Sequence, residues 1–104
     1  MKELNDSNFS GEIAKEKLVL VDFYATWCMP CSMQAEVLSK MATSRALNFN
    51  IIKVNVDEAP ETAVKYGVQS IPTMIIFKGN EEVRRIVGYT EEEELLNIME
   101  EFEE

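Results

Sequence analysis

The sequence predicts an α/β fold, a mixed central β-sheet of about five strands flanked by about four helices. Three observations carry this prediction. Residues 18–24 and 73–78 are nearly continuous apolar runs, the pattern of strands covered on both faces. Segments with helical three-and-four spacing alternate with the strand-like runs, in the order β-α-β-α-β-α-β-β-α. Directly after the first run come Trp27-Cys28-Met29-Pro30-Cys31, so a strand delivers a CxxC pair to the start of a helix.

Residues 2–4 read as a short strand, and residues 8–16 as a short helix behind the Asn5-Asp6-Ser7 cluster. Residues 18–24 form the first long strand. The next helix starts near Cys28 and tolerates Pro30 in its first turn, where that N–H needs no intrahelical partner. Ala35, Leu38, Met41 and Ala42 fall on its inward face. Residues 49–56, with Ile51, Ile52, Val54 and Val56, make a strand parallel to 18–24 in a right-handed βαβ unit. A helix over 59–66 stops at Gly67. Residues 73–78 turn through Gly79-Asn80 into 82–87 as an antiparallel hairpin. Thr90 and Glu93 fit a capping box opening the last helix, which buries Leu95, Ile98 or Met99, and Phe102. Its first-turn glutamates complement the helix dipole, whereas Glu100, Glu101, Glu103 and Glu104 oppose it, so that end should fray.

With 104 residues and 46% hydrophobic content, one domain spanning 1–104 can build its own core. A disulfide is not needed as a staple, and a CxxC bridge closes too little chain to constrain it. The two cysteines therefore favour reversible chemistry and a reducing compartment. The polar start, Met1 to Asp6, lacks the apolar core of a signal peptide, and no apolar run is long enough to span a bilayer. A cytoplasmic protein without a membrane role is expected. Of the net charge of −9, eight Glu lie in residues 91–104, leaving ten basic against eleven acidic residues elsewhere. No basic patch exists to neutralise phosphates, which disfavours nucleic acid as a partner. The glutamates read as a solvated helix face, with a docking surface for a basic partner as the alternative.

A helix N-terminus favours negative charge and so the thiolate of Cys28. A metal site is not expected, because zinc takes about four ligands and the chain has two Cys and no His. Asp22 and Lys53 each interrupt an apolar strand. Such groups are costly to bury unless neutral or paired, and the alternative is that strand alternation turns both to solvent.

Residues 21–31, Val21-Asp22-Phe23-Tyr24-Ala25-Thr26-Trp27-Cys28-Met29-Pro30-Cys31, resemble the active-site signature of the thioredoxin family. Val54-Asn55-Val56-Asp57, Lys65-Tyr66-Gly67-Val68, Ser70-Ile71-Pro72-Thr73 and Val87-Gly88 follow in that family's order and spacing, so the resemblance covers essentially the whole chain. It implies a thioredoxin fold and a thiol–disulfide oxidoreductase that reduces protein disulfides, with no bound cofactor. Cys28 would be the exposed nucleophile and Cys31 the buried resolving thiol. Asp22, with Lys53 beside it, would exchange a proton with Cys31. Pro72 alone reads as trans, as most prolines are, but the resemblance implies a cis bond after Ile71, lying against the dithiol. Trp27, Met29, Pro30, Ile71, Pro72, Val87, Gly88 and Tyr89 would then rim a groove for an extended substrate. The implied partners are disulfide-containing proteins and a thioredoxin-reductase-type electron donor, with the chain acting as a monomer.

The chain departs from the family at Met29, where Gly is common, at Ser32, where a basic residue is common, and at Glu36, where a helix-kinking Pro is common. The first two bear on thiol pKa and redox potential; the third predicts a straighter helix. Two other functions fit the same sequence: an isomerase or oxidant with a less reducing couple, and a binding module that uses the groove without turnover.

Overall fold

A computed structural model describes residues 1–103. Nine elements follow in order: β1 (Lys2–Leu4), α1 (Phe9–Ile13), β2 (Leu18–Tyr24), α2 (Met29–Ser44), β3 (Asn50–Asn55), α3 (Pro60–Lys65), β4 (Thr73–Lys78), β5 (Glu81–Val87) and α4 (Glu92–Glu100). The sheet order is β1-β3-β2-β4-β5. β3 is parallel to both β1 and β2, whereas β4 is antiparallel to both β2 and β5.

Side-chain alternation divides the interior into two cores. Val19, Val21, Phe23, Ile52, Val54, Ile75 and Phe77 pack under α1 with Phe9 and Ile13. Phe9, Phe23, Tyr66 and Phe77 stack there with ring centroids 5.2–6.5 Å apart. Leu18, Leu20, Ile51, Met74 and Ile76 face the other way, against Leu38 and Met41 of α2 and Leu95, Ile98 and Met99 of α4. By the same two-residue period, Asp22 and Lys53 belong to the α2 face of the sheet.

Several element ends differ from the sequence reading for identifiable reasons. α1 is shorter than 8–16, and Asn8 does not cap it; its Oδ1 instead accepts the Asn5 N–H (2.8 Å). α3 is capped by a residue far away in sequence: Asp6 accepts the N–H of Glu61 and both the N–H and hydroxyl of Thr62. Those bonds hold the Asp6 carboxyl below the usual carboxylate range. α3 ends in a Schellman motif, with Gly67 at φ 64° and bonds from Gly67 to Val64 and Val68 to Ala63. α4 starts at Glu92, later than expected, and the Thr90–Glu93 capping box does not form. The Thr90 hydroxyl donates to Gly88 C=O, and its backbone is taken by Gln34. On α2, Ala35 is half-buried and Ala42 exposed, while Gln34 is buried. The helix runs uninterrupted through Glu36. Phe102 lies beyond α4, half-buried against the second core, and Glu104 lies outside the described residues. Among the described residues no helix is long and apolar enough to cross a membrane.

Candidate functional site

The parallel strands β2 and β3 terminate at the same end of the sheet, and the dithiol follows β2 there. β2 runs through Ala25-Thr26-Trp27 into Cys28, the N-cap of α2 (φ −97°, ψ 114°). Pro30 fits the first turn because its missing N–H would have no intrahelical acceptor. Cys28 Sγ accepts the Cys31 N–H at 3.3 Å, a cap in which sulfur takes the place of a hydroxyl or carboxylate. Cys28 and Cys31 are joined as a disulfide, with Cα atoms 5.2 Å apart. The first turn, Met29-Pro30-Cys31-Ser32, has no charged side chain, so backbone N–H groups and the helix dipole supply the positive potential.

Cys28 is less open than the resemblance implies: it is 7% exposed, and Cys31 2%. Tyr24, Ala25, Val56 and Ile71 pack around the pair. The Ile71–Pro72 peptide is cis, and Ile71 C=O lies 3.8 Å from Cys28 Sγ. Ile71 is half-buried and Pro72 buried. Trp27 and Met29, which flank Cys28 in the chain, are 72% and 73% exposed, and Val87 and Tyr89, which flank Gly88, are also exposed. Pro30 is exposed as well. Trp27 is held by its indole N–H, which donates to Asp57 at 2.8 Å. Gly88 lies across from the dithiol loop with φ 95°, a conformation that disfavours any residue with a Cβ. Its N–H donates to Pro72 C=O at 2.8 Å, tying the end of β5 to the cis peptide.

Asp22 is fully buried, and neither carboxylate oxygen has a hydrogen-bond partner among the described residues. It is in register with Lys53 on β3 and Met74 on β4. Burial pushes its pKa up to about 7, against the smaller opposing field of Lys53. Lys53 is half-buried, with Nζ 4.3 Å from the Tyr24 ring centroid. The Tyr24 hydroxyl donates in turn to Glu3 at 2.6 Å. The two charged residues thus share a sheet face, yet the cation lies over an aromatic ring and Asp22 stays unpaired.

Gln34 also belongs to this region, and the helix-face reading passes it over in favour of Ala35. A signal is present in the sequence: Gln34 lies three residues after Cys31 and four before Leu38, on the inward stripe. A separate depression of about 380 Å³ lies at the opposite, N-terminal end of β3, lined by Met1, Lys2, Glu16, Arg45, Phe49 and Asn50. It touches none of the residues around the dithiol. No group of three or more Cys, Asp or Glu among the described residues is arranged to hold a metal ion.

A CxxC pair at a helix N-terminus, facing a cis-proline turn and an apolar rim, defines a thiol–disulfide exchange site. The thioredoxin family model matches residues 1–101, and the chain belongs to the thioredoxin family. It is 48% identical over 92 residues to thioredoxin of Alicyclobacillus acidocaldarius, covering 88% of each chain. Thioredoxin of Listeria monocytogenes is 46% identical over 99 residues, 95% of each. Among solved structures, a single-substitution mutant of thioredoxin from Halobacterium salinarum superposes with a TM-score of 0.90 at 31% identity, over 99% of this chain and 90% of that one. Plasmodium falciparum thioredoxin gives 0.88 at 29% identity, over 99% and 100%. The fold is the thioredoxin fold, and the chain is a thiol–disulfide oxidoreductase with protein-disulfide reductase activity.

Proposed function

We propose that Cys28 is the attacking thiolate and Cys31 the resolving thiol of a single-domain, monomeric reductase. The observation that carries this is the asymmetry of the pair. Cys28 caps α2 and accepts a backbone N–H, whereas Cys31 lies inside the first turn and is more enclosed. In the first step the Cys28 thiolate attacks one sulfur of a substrate disulfide. A Cys28–substrate bond forms, and the other substrate sulfur leaves as a thiolate and takes a proton. In the second step Cys31 gives its proton to Asp22 and attacks Cys28. The first substrate sulfur then leaves, so two electrons have passed to the substrate and Cys28–Cys31 is a disulfide. An acceptor with a pKa near 7 is about half ionised at neutral pH, which suits proton transfer in both directions. Lys53 supplies the nearby positive field that favours ionised Asp22.

Trp27, Met29, Pro30, Ile71, Pro72, Val87 and Gly88 form the groove for an extended segment of substrate. A thioredoxin-reductase-type donor returns the disulfide to the dithiol, and the cycle serves redox homeostasis and electron transport in the cytoplasm. Replacing each cysteine tests the assignment. Cys28→Ser should abolish disulfide reduction, and Cys31→Ser should accumulate a mixed disulfide through Cys28, visible by mass spectrometry without reductant. An equal yield of adduct on Cys31 in the Cys28→Ser protein would reverse the two roles.

A further inference from the structure

Gln34 is fully buried on α2, one turn beyond Cys31, and its amide meets a single residue 56 positions away. Its Oε1 accepts the Thr90 N–H at 2.8 Å, and its Nε2 donates to the Thr90 C=O at 3.0 Å. The side chain therefore pairs with Thr90 as a neighbouring strand would. Thr90 is itself buried, in the segment between β5 and α4. A buried backbone donor and acceptor there need partners, and one amide satisfies both.

The hydrogen bonds continue from Thr90 to the groove. The Thr90 hydroxyl donates to Gly88 C=O at 3.2 Å, and the Gly88 N–H donates to Pro72 C=O at 2.8 Å. Cys28 lies against Ile71, the other partner of the cis peptide. One side chain thus fastens the helix that carries the dithiol to the segment 87–89 that forms the opposite rim.

We propose that Gln34 is a positioning residue for specificity: by clamping Thr90, it fixes the 87–89 rim relative to Cys28 and favours disulfides carried on extended polypeptide over small free disulfides. The inference rests on the groove proposed above. A small disulfide has only to reach Cys28 Sγ. A polypeptide must also lie along the rim while its disulfide meets the sulfur, so a displaced rim costs it orientation.

Two variants separate the effects. Gln34→Met keeps an unbranched chain of similar length and removes both hydrogen bonds, whereas Gln34→Glu keeps an acceptor for the Thr90 N–H. Second-order rate constants for the reduced protein are measured by stopped flow with insulin and with 5,5′-dithiobis(2-nitrobenzoate). Gln34→Met should slow insulin reduction about tenfold while the small disulfide stays within about twofold, and Gln34→Glu should fall between. Equal losses on both substrates, or no loss on either, would overturn the proposal. A failure of the dithiol assignment is distinguishable, because it would move the mixed disulfide to Cys31 in the cysteine variants while leaving Gln34 and both substrates' rates in the unsubstituted protein unchanged. Amide hydrogen exchange on the unsubstituted protein provides a readout that does not depend on the variants folding. The Thr90 and Gly88 amides should be protected together with those of α2, and exchange of Thr90 at the rate of an exposed loop would also overturn the clamp.

Discussion

Asp22→Asn should make the oxidised protein more stable at neutral pH while slowing release of the mixed disulfide. The carboxyl titrates near 7 in the folded protein and near 3.8 when unfolded, because burial disfavours its charged form. The sign follows from proton uptake. Below the unfolded value both states are protonated, and the folded state suffers no penalty. Between about pH 4 and pH 7 the unfolded chain releases a proton that the folded chain retains, so stability falls with rising pH and levels off above the folded value. At pH 7 the loss is about 4 kcal/mol. Asn removes this penalty but leaves an amide among groups that offer the Asp22 oxygens no partner, at a cost of about 1–3 kcal/mol. The expected net gain is therefore about 1–3 kcal/mol. Urea unfolding without reductant measures it at pH 7 and again at pH 4, where the relieved penalty is only about 0.6 kcal/mol and the gain should turn into a loss. Stopped-flow reduction of a model disulfide then isolates the resolving step, which should slow because Cys31 has lost its proton acceptor. The same stability difference at both pH values would refute the burial argument, and unchanged kinetics would refute the proton-transfer role.

Met29→Gly should shift the reduction potential by about 30 mV, the equivalent of about 1.4 kcal/mol, with the fold intact. The Met29 side chain is exposed, but its backbone lies inside the ring closed by Cys28 and Cys31. Equilibration with glutathione measures the shift, and no resolvable change would make Met29 a neutral part of the rim. Gly88→Ala should cost about 1–2 kcal/mol in urea unfolding. An added Cβ meets nothing within 4 Å, so the cost is that of φ 95° alone. A neutral result would show that residues 87–89 relax freely.

What the sequence made legible was the part governed by local pattern. The apolar runs of β2 and β4 announce strands covered on both faces, and they are the strands buried beneath helices on each side. CxxC after such a strand locates the dithiol, since a strand-to-helix step leaves few other geometries. The misread features depend on residues far apart in sequence. Asp6 caps α3 from 55 and 56 positions away, a bond no local rule for helix starts contains. The Thr90–Glu93 pattern satisfies the capping-box rule, but Gln34 takes the Thr90 backbone and the helix starts later. The cis bond at Ile71–Pro72 has no local signature, and only the family resemblance points to it. The resemblance also implies an open Cys28; the enclosure comes from Ile71 and Val56, which belong to other segments.

The proposed cycle also accounts for a carboxylate and a thiolate at the same end of the sheet. With Ser32 in place of a cation, the Cys28 thiolate is favoured chiefly by the N-terminus of α2. Such an interaction is worth up to about 2 kcal/mol when partly buried. An ionised Asp22 on the sheet face beneath α2 would oppose that charge. The chemistry does not ask for both charges at once. During attack Cys28 is the anion, and Asp22 can stay protonated in its unpaired, buried position. Once the mixed disulfide forms, the Cys28 sulfur is neutral and the opposition to ionised Asp22 is gone. It can then take the proton of Cys31. Lys53, held over the Tyr24 ring, supports that ionisation without neutralising it in a direct pair, so Asp22 stays basic enough to accept the proton. A close Asp22–Lys53 pair would hold the carboxylate charged through both steps, lowering its basicity and weakening the proton transfer.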